Sequence, residues 1–175
     1  GLSKAAVLTH RNLMANVRQQ NRVAGARERR TALLYGMSRE LAGTRGSENM
    51  ARVAVTHVAE VFDSAAVVLT PEATGRLQYP AGSPLERSFR GADLSVAQWV
   101  FDHGERAGLG TDTLPAAPAV YLPLRGTQRT LGVLGVLPAN RRRVLLPEQR
   151  HLLETFAGQI ALAWERVALG EEAAQ

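Results

Sequence analysis

The 175-residue chain contains no cysteine. That absence excludes disulfides, Cys-bearing zinc or iron–sulfur sites, thiol catalysis and any thioether-linked chromophore. Aromatic residues make up only 5% of the chain. No apolar run reaches the roughly 18–20 residues needed to cross a bilayer. There is no P-loop, Rossmann glycine fingerprint, HExxH helix or EF-hand loop, and no Ser sits in a G-x-S-x-G elbow. The four His (His10, His57, His103, His151) lack metal-ligand spacing, so no catalytic or metal residue is assigned. His151 is followed by Leu152, where a phospho-accepting His of a histidine kinase is followed by an acid. His57 reads as a partly buried core histidine.

What remains is ordinary for a folded domain. The chain is 45% hydrophobic and 21% charged, which rules out general disorder. At this length a single fold buries roughly 70% of the surface its unfolded chain exposes. The net charge of +5 is unevenly placed. Residues 1–30 hold seven Lys and Arg against Glu28 alone, a net +6, whereas residues 31–175 hold fourteen against fifteen acids, a net −1. A basic arm fits a nucleic-acid tail, a segment beside an anionic membrane face, or a solvated helix face. The arm interleaves no aromatics with its cations and the rest is near neutral, which disfavours nucleic acid.

Residues 3–42 lack Pro and are rich in Ala, Leu, Arg and Gln, predicting one long helix with Gly25 as its candidate break. Its early apolar face is Val7, Leu8, Leu13, Met14 and Val17. Residues 18–31 are almost wholly polar, and an apolar stripe returns at Leu33, Leu34, Met37 and Leu41. Ser47 is the expected N-cap of a second helix reaching Phe62. Residues 65–70 and 76–79 read as a strand pair around Pro71–Gly75, and residues 80–92 as loop. Ser95 is expected to cap a short helix over 96–103, stopped by Gly104. Residues 104–118 should be irregular. Strands at 120–125 and 130–137 flank a turn at Gly126–Arg129. Residues 138–146 read as a loop bearing Arg141, Arg142 and Arg143. Pro147 opens a last helix to about Leu169, whose wide apolar face calls for two packing partners. The order predicts an α+β fold, an antiparallel sheet with helices segregated to one side.

The stretch from Trp99 to Arg125 stands out: a helix bearing Trp99 and Phe101 meets a loop bent by Gly104, Gly108 and Gly110. Trp99, Asp102, Thr111, Asp112 and Thr113 are the candidate ligand-binding residues, since oxygen groups beside an aromatic helix suit a small polar ligand or hard cation. The competing reading is a loop whose Thr and Asp side chains only cap their own turns.

This stretch also carries a family signature. W-x-F-D-x-G (99–104), A-G-x-G-T-D-T-L-P (107–115) and L-P-L (122–124) resemble the GAF domain of KdpD-type potassium sensor histidine kinases. So do residues 27–42 and 145–167. Arg106 departs from the family, which more often has Pro there. The resemblance implies a PAS-like antiparallel sheet of about five to six strands with helices packed on it. It divides the chain into a juxtamembrane signalling helix (1–43), a GAF core (44–146) and a C-terminal signalling helix (147–175). It further implies a non-catalytic sensory relay within an osmosensitive potassium sensor kinase, on the cytoplasmic side of the bacterial inner membrane. The fragment would hold no cofactor, while the parent kinase would use ATP and Mg and phosphorylate a response regulator. The expected partners are a second copy, through Leu34, Met37, Leu41, Ile160, Trp164 and Val167, and the membrane surface through the basic arm. The alternative is a GAF module whose own small-molecule or ion ligand is the signal. The sulfoxide-reducing chemistry known among GAF proteins needs Cys and is excluded.

Overall fold

The computed structural model describes residues 2–79 and 91–174. Most of the expected loop at 80–92 therefore lies outside the described residues, as do the side chains of Val7 and Leu8.

The first element, α1, is one helix over Leu2–Ala42. It runs unbroken through Gly25, because glycine weakens a helix by entropy yet keeps its backbone N–H; the Arg29 Nε also donates to the Gly25 carbonyl at 3.3 Å. The chain forms two compact units, Gly1–Gly36 and Met37–Gln175. In the first unit Leu13, Met14, Val17 and Val23 are exposed. In the second, Met37 and Leu41 are buried.

The second unit continues with α2 (Ser47–Phe62), β1 (Ser64–Pro71), β2 (Leu77–Gln78), α3 (Gly91–His103), β3 (Ala107–Gly108), β4 (Val120–Arg125), β5 (Thr130–Pro138), α4 (Arg141–Val144) and α5 (Pro147–Ala174). The five strands form one sheet in the order β2-β1-β5-β4-β3, and every pairing is antiparallel. The β1–β2 and β4–β5 hairpins stand where the turn residues predicted them. β3 is too short to leave a pattern in the sequence. α3 begins at Gly91, so Ser95 lies inside the helix instead of capping it, while Gly104 ends it with φ 67 and an N–H donated to the Val100 carbonyl. The expected loop at 138–146 contains the single turn α4, whose N-cap Asn140 accepts from the Arg142 N–H at 3.0 Å.

Side chains alternate between the faces of a strand, and here both faces are covered. Val67 and Leu69 of β1, Tyr121 of β4 and Val133 of β5 form one cluster with Ala97 and Val100 of α3. The residues between them (Ala66, Val68, Leu122, Leu124, Leu134, Val136) are also buried and face α2 and α5, which pack on β1 and on β4 and β5 respectively. The helices are thus not segregated to one side. An all-apolar β5, Leu131 to Leu137, is what a strand buried on both faces requires. Phe62 at the end of α2 meets Phe156 of α5 edge-on, with centroids 5.5 Å apart, a pair of the kind that contributes about 0.5–1.5 kcal/mol beyond area burial. The wide apolar face of α5 is used on two partners, the sheet and α2.

Carboxylates on α5 fasten its polar side. Glu171 accepts from the Ser47 backbone N–H at 2.9 Å and from the Ser47 hydroxyl at 2.7 Å. The α2 N-cap is therefore Gly46, at φ 84 and without a side-chain bond. The first of the N–H groups that a helix start leaves free, that of Ser47, is met by a side chain 124 residues away. Glu165 likewise accepts from the Thr127 backbone N–H at 2.6 Å and from its hydroxyl, holding the β4–β5 turn. Glu154 pairs with Arg106. Bonds from the Thr127 hydroxyl and N–H hold the Glu165 carboxyl below the usual carboxylate range, and those from Ser47 do the same for Glu171.

Two expectations follow. Gly108 sits at φ 97, and an added Cβ would overlap the Ala119 carbonyl oxygen. Gly108→Ala should therefore lower unfolding free energy by about 2–4 kcal/mol in urea titration, whereas Gly25→Ala, with open space around it, should only raise far-ultraviolet helicity. Glu171→Gln should unfold at lower temperature than the wild type at neutral pH. Because the folded-state pKa of Glu171 is depressed, its contribution is present above the ordinary glutamate range and is lost as pH falls through the folded value. The gap between variant and wild type should accordingly close on acidification in a thermal-unfolding series. A gap constant down to pH 3 would mean that charge plays no part in the clamp.

Candidate functional site

α3 presents its apolar side to the sheet and a polar side to an open groove of about 470 Å3 between α3 and β2. Arg76, Leu77, Leu94, Ser95, Gln98, Trp99, Asp102 and His103 line it. Gln98 anchors the helix there. Its Oε1 accepts from the Leu77 backbone N–H at 2.8 Å, and its Nε2 reaches the Gly75 carbonyl at 3.0 Å and Asp102 Oδ1 at 3.1 Å. Trp99 and His103, one helical turn apart, stack with centroids 4.2 Å apart and planes 15° apart. His103 Nδ1 also lies 2.8 Å from the Trp99 carbonyl oxygen. The groove thus offers a cation (Arg76), an anion (Asp102), an amide and a stacked aromatic pair: a surface suited to a small, planar, polar molecule.

The five candidate ligand residues do not share this place. Trp99 and Asp102 line the groove, but Thr111, Asp112 and Thr113 do not. Thr111 is buried, and its hydroxyl lies 2.8 Å from the Gly108 carbonyl and 2.7 Å from the Thr113 carbonyl. It also accepts from the Thr113 N–H at 3.2 Å. The Gly108 N–H donates to the Thr113 carbonyl at 2.8 Å. The Thr111 side chain therefore holds the loop's own backbone, as Thr does in turns, with Thr113 taking part through its main-chain N–H and carbonyl, and Asp112 is exposed. Gln98 and Arg76 are the groove residues that sequence reasoning missed. Gln98 falls one residue before the aromatic signature and carries no motif, and its role depends on β2 being beside α3.

A second groove, about 320 Å3, lies between β4 and α5, with Leu122, Pro123, Ala157 and Gly158 as its floor and Arg106, Arg125 and Glu154 at its rim. Arg106, the departure from the family signature, is thus the residue that ties the loop to α5 through Glu154.

The expected dimer contacts need correction. Met37, Leu41, Ile160 and Trp164 are buried within the chain itself; their apolar spacing serves the core, because the sheet and α2 take up the breadth of α5. Leu34 and Val167 are half-buried. The large apolar side chains left exposed on α5 are instead Leu162 and Leu169. His57, half-buried, lies with its Nε2 2.5 Å from Glu40 Oε2, joining α2 to the end of α1. Among the described residues there is no group of three or more His, Asp or Glu placed to hold a metal, and no helix long and apolar enough to cross a membrane.

With the geometry in hand, the chain can be set beside known proteins. Residues 48–166 match the GAF domain family. Sensor protein KdpD of Escherichia coli K12 is 44% identical over 158 residues, which are 90% of this chain and 17% of that protein. Sensor protein KdpD of Clostridium acetobutylicum is 26% identical over 168 residues, 92% of this chain and 18% of that protein. The chain thus spans less than a fifth of the length of these relatives. Among solved structures, the native GAF domain of the potassium sensor histidine kinase KdpD from Escherichia coli superposes with a TM-score of 0.72 at 38% identity, covering 83% of this chain and 99% of that one. The GAF domain of an Acinetobacter phosphoenolpyruvate-protein phosphotransferase, at 13% identity and a TM-score of 0.57 over 79% of this chain and 94% of that one, shares the fold. The antiparallel sheet between α3 and the α2–α5 pair and the loop signature after Trp99 agree with that match along most of the chain: it belongs to the GAF domain family, as a GAF domain of the KdpD type.

Proposed function

We propose that this domain is the non-catalytic sensory relay of a KdpD-like potassium sensor histidine kinase. It passes a membrane or ligand signal to dimerisation and kinase regions that use ATP and Mg to phosphorylate a response regulator. The observation that carries the reading is the fastening of α5. One helix is tied by Glu154 to the loop after α3, by Glu165 to the β4–β5 turn and by Glu171 to the start of α2. A helix held at three heights by three parts of a core follows any rearrangement of that core. A relay needs that property, and it works by biasing two discrete arrangements. The basic arm, net +6 over residues 1–30, suits the anionic cytoplasmic face of the inner membrane, where each Lys or Arg contributes about 1 kcal/mol. Pairing of two copies through the N- and C-terminal helices would use the residues left exposed, Leu13, Met14 and Val17 on α1 and Leu162 and Leu169 on α5.

The groove of α3 favours a second reading, in which a ligand of this domain is itself the signal. Its shape and mixed charge support a small polar ligand around Trp99, Asp102, Arg76 and Gln98.

In the full-length kinase that contains this domain, the double substitution Glu165→Gln and Glu171→Gln should shift basal autophosphorylation about fivefold or more, within the usual range of coupling energies. The relay idea is sunk if autophosphorylation and its potassium response stay at wild-type values while the domain's melting temperature drops. For the ligand reading, a thermal-shift panel of potassium and cyclic nucleotides should raise the melting temperature of the wild type and not of Trp99→Ala, since a ligand at 100 times its Kd adds about 2.7 kcal/mol. A flat response across the panel counts against it.

A further inference from the structure

The segment between β5 and α5 is unlike the rest of the surface. Residues 139–147 contain Arg141, Arg142 and Arg143 and no acid. They fold as the single turn α4, capped by Asn140. One helical turn has about four positions around it, and Val144, 4% exposed, takes the inward one. The other three are outward, and all three are arginines, exposed to solvent. Among the described residues, no hydrogen bond or ion pair engages their side chains. Immediately after them come Leu145, 42% exposed, and Leu146, 54% exposed. The Leu145 and Leu146 N–H groups donate to the Arg141 and Arg143 carbonyls, so the two leucines are fixed to the same turn. Leu145 also borders the glycine loop, since a Cβ on Gly110 would lie 2.8 Å from its Cδ2. That loop carries Leu114, itself 47% exposed and held at φ 52, a conformation costly for leucine.

We infer that the α4 turn, Arg141–Arg143 with Leu145 and Leu146, is a docking surface for an anionic lipid bilayer. Three exposed guanidiniums, with no acid within residues 139–147, complement phosphate headgroups. Two large apolar side chains beside them insert at the boundary between headgroups and acyl chains, the combination that interfacial segments use. The residues of the turn line neither the groove beside α3 nor the one between β4 and α5. Exposed arginines beside exposed leucines suit a deformable plane whose surface is anionic and whose interior is apolar. The inference adds a second contact to the one proposed for the N-terminal arm and does not depend on it.

The test uses the whole chain with vesicles of phosphatidylcholine alone or mixed with phosphatidylglycerol. The triple substitution Arg141→Gln, Arg142→Gln and Arg143→Gln should weaken association with the anionic vesicles about tenfold or more. Its melting temperature should hold, because the three exposed side chains make no hydrogen bond or ion pair among the described residues and the Asn140 cap uses main-chain N–H. An arm variant, Arg27→Gln with Arg29→Gln and Arg30→Gln, reads the other contact separately. The chain has no cysteine, so Leu146→Cys provides one unique thiol for a polarity-sensitive dye. Its emission should move to the blue with anionic vesicles and stay put with phosphatidylcholine. The assignment is overturned if the triple variant binds anionic vesicles like the wild type, or if the dye stays in water. It is also overturned if substitution abolishes binding of an acidic polypeptide or nucleic acid while vesicle association is unchanged.

Discussion

Everything else in the compact unit is placed by β5. It is the middle strand of five, hydrogen-bonded to β1 on one side and β4 on the other, and its two faces are both closed to water. A strand in that position can carry no polar side chain cheaply, and where two neighbours converge on it even a methyl group would be tight. At Gly135 a Cβ would come within 3.0 Å of both Tyr121 and Val67. The ring of Tyr121, fully buried, closes over that glycine, and α3 closes over the ring. On the opposite face the same strand offers Leu134 and Val136 to the α2–α5 pair. α3 and α5 are therefore mechanically in series through a single tightly packed layer.

That arrangement separates two jobs. The groove with Trp99, Gln98 and Asp102 lies beside α3 and β2, whereas the carboxylate fastenings lie on α5. Close-packed interiors transmit displacement instead of absorbing it, so the sheet is a physical link between the two. The Arg106–Glu154 pair adds a shorter route around the sheet, from the residues just after α3 directly to α5. In the relay proposed above, these two routes would carry the same bias.

Most of the architecture was legible because burial imposes periodicity. The helix expected after Ser47 and reaching Phe62 is α2, whose inward stripe is Met50, Ala54 and Val58, and Gly126–Arg129 marked the β4–β5 turn. The KdpD-type signature was legible from contiguous loop and helix residues. What escaped was whatever depends on partners distant in sequence. Ser47 looks like an N-cap in a local reading, yet its hydroxyl serves Glu171. β3 has two residues and no pattern, and exists because β4 supplies its partner. Thr111 looked like a ligand oxygen because its type suits both roles; only the geometry shows the loop consuming its hydroxyl. Met37, Leu41, Ile160 and Trp164 show a related limit. Apolar spacing reports that a face is covered, and says nothing of whether this chain or a second copy covers it. The α4 turn had a local signal, Asn140 ahead of three helix-forming arginines, obscured by its length.

The Ser47–Glu171 clamp bears on where the domain ends. The family match stops at residue 166, but Glu171 and Glu172 lie beyond it. A recombinant fragment trimmed to that boundary would keep every strand and most of the apolar interior. It would also leave the Ser47 N–H and hydroxyl at the start of α2 with no carboxylate to receive them. The folding unit is longer than the recognisable one at both ends, by the end of α1 that buries Met37 and Leu41 and by the residues through which the last helix closes back on the second.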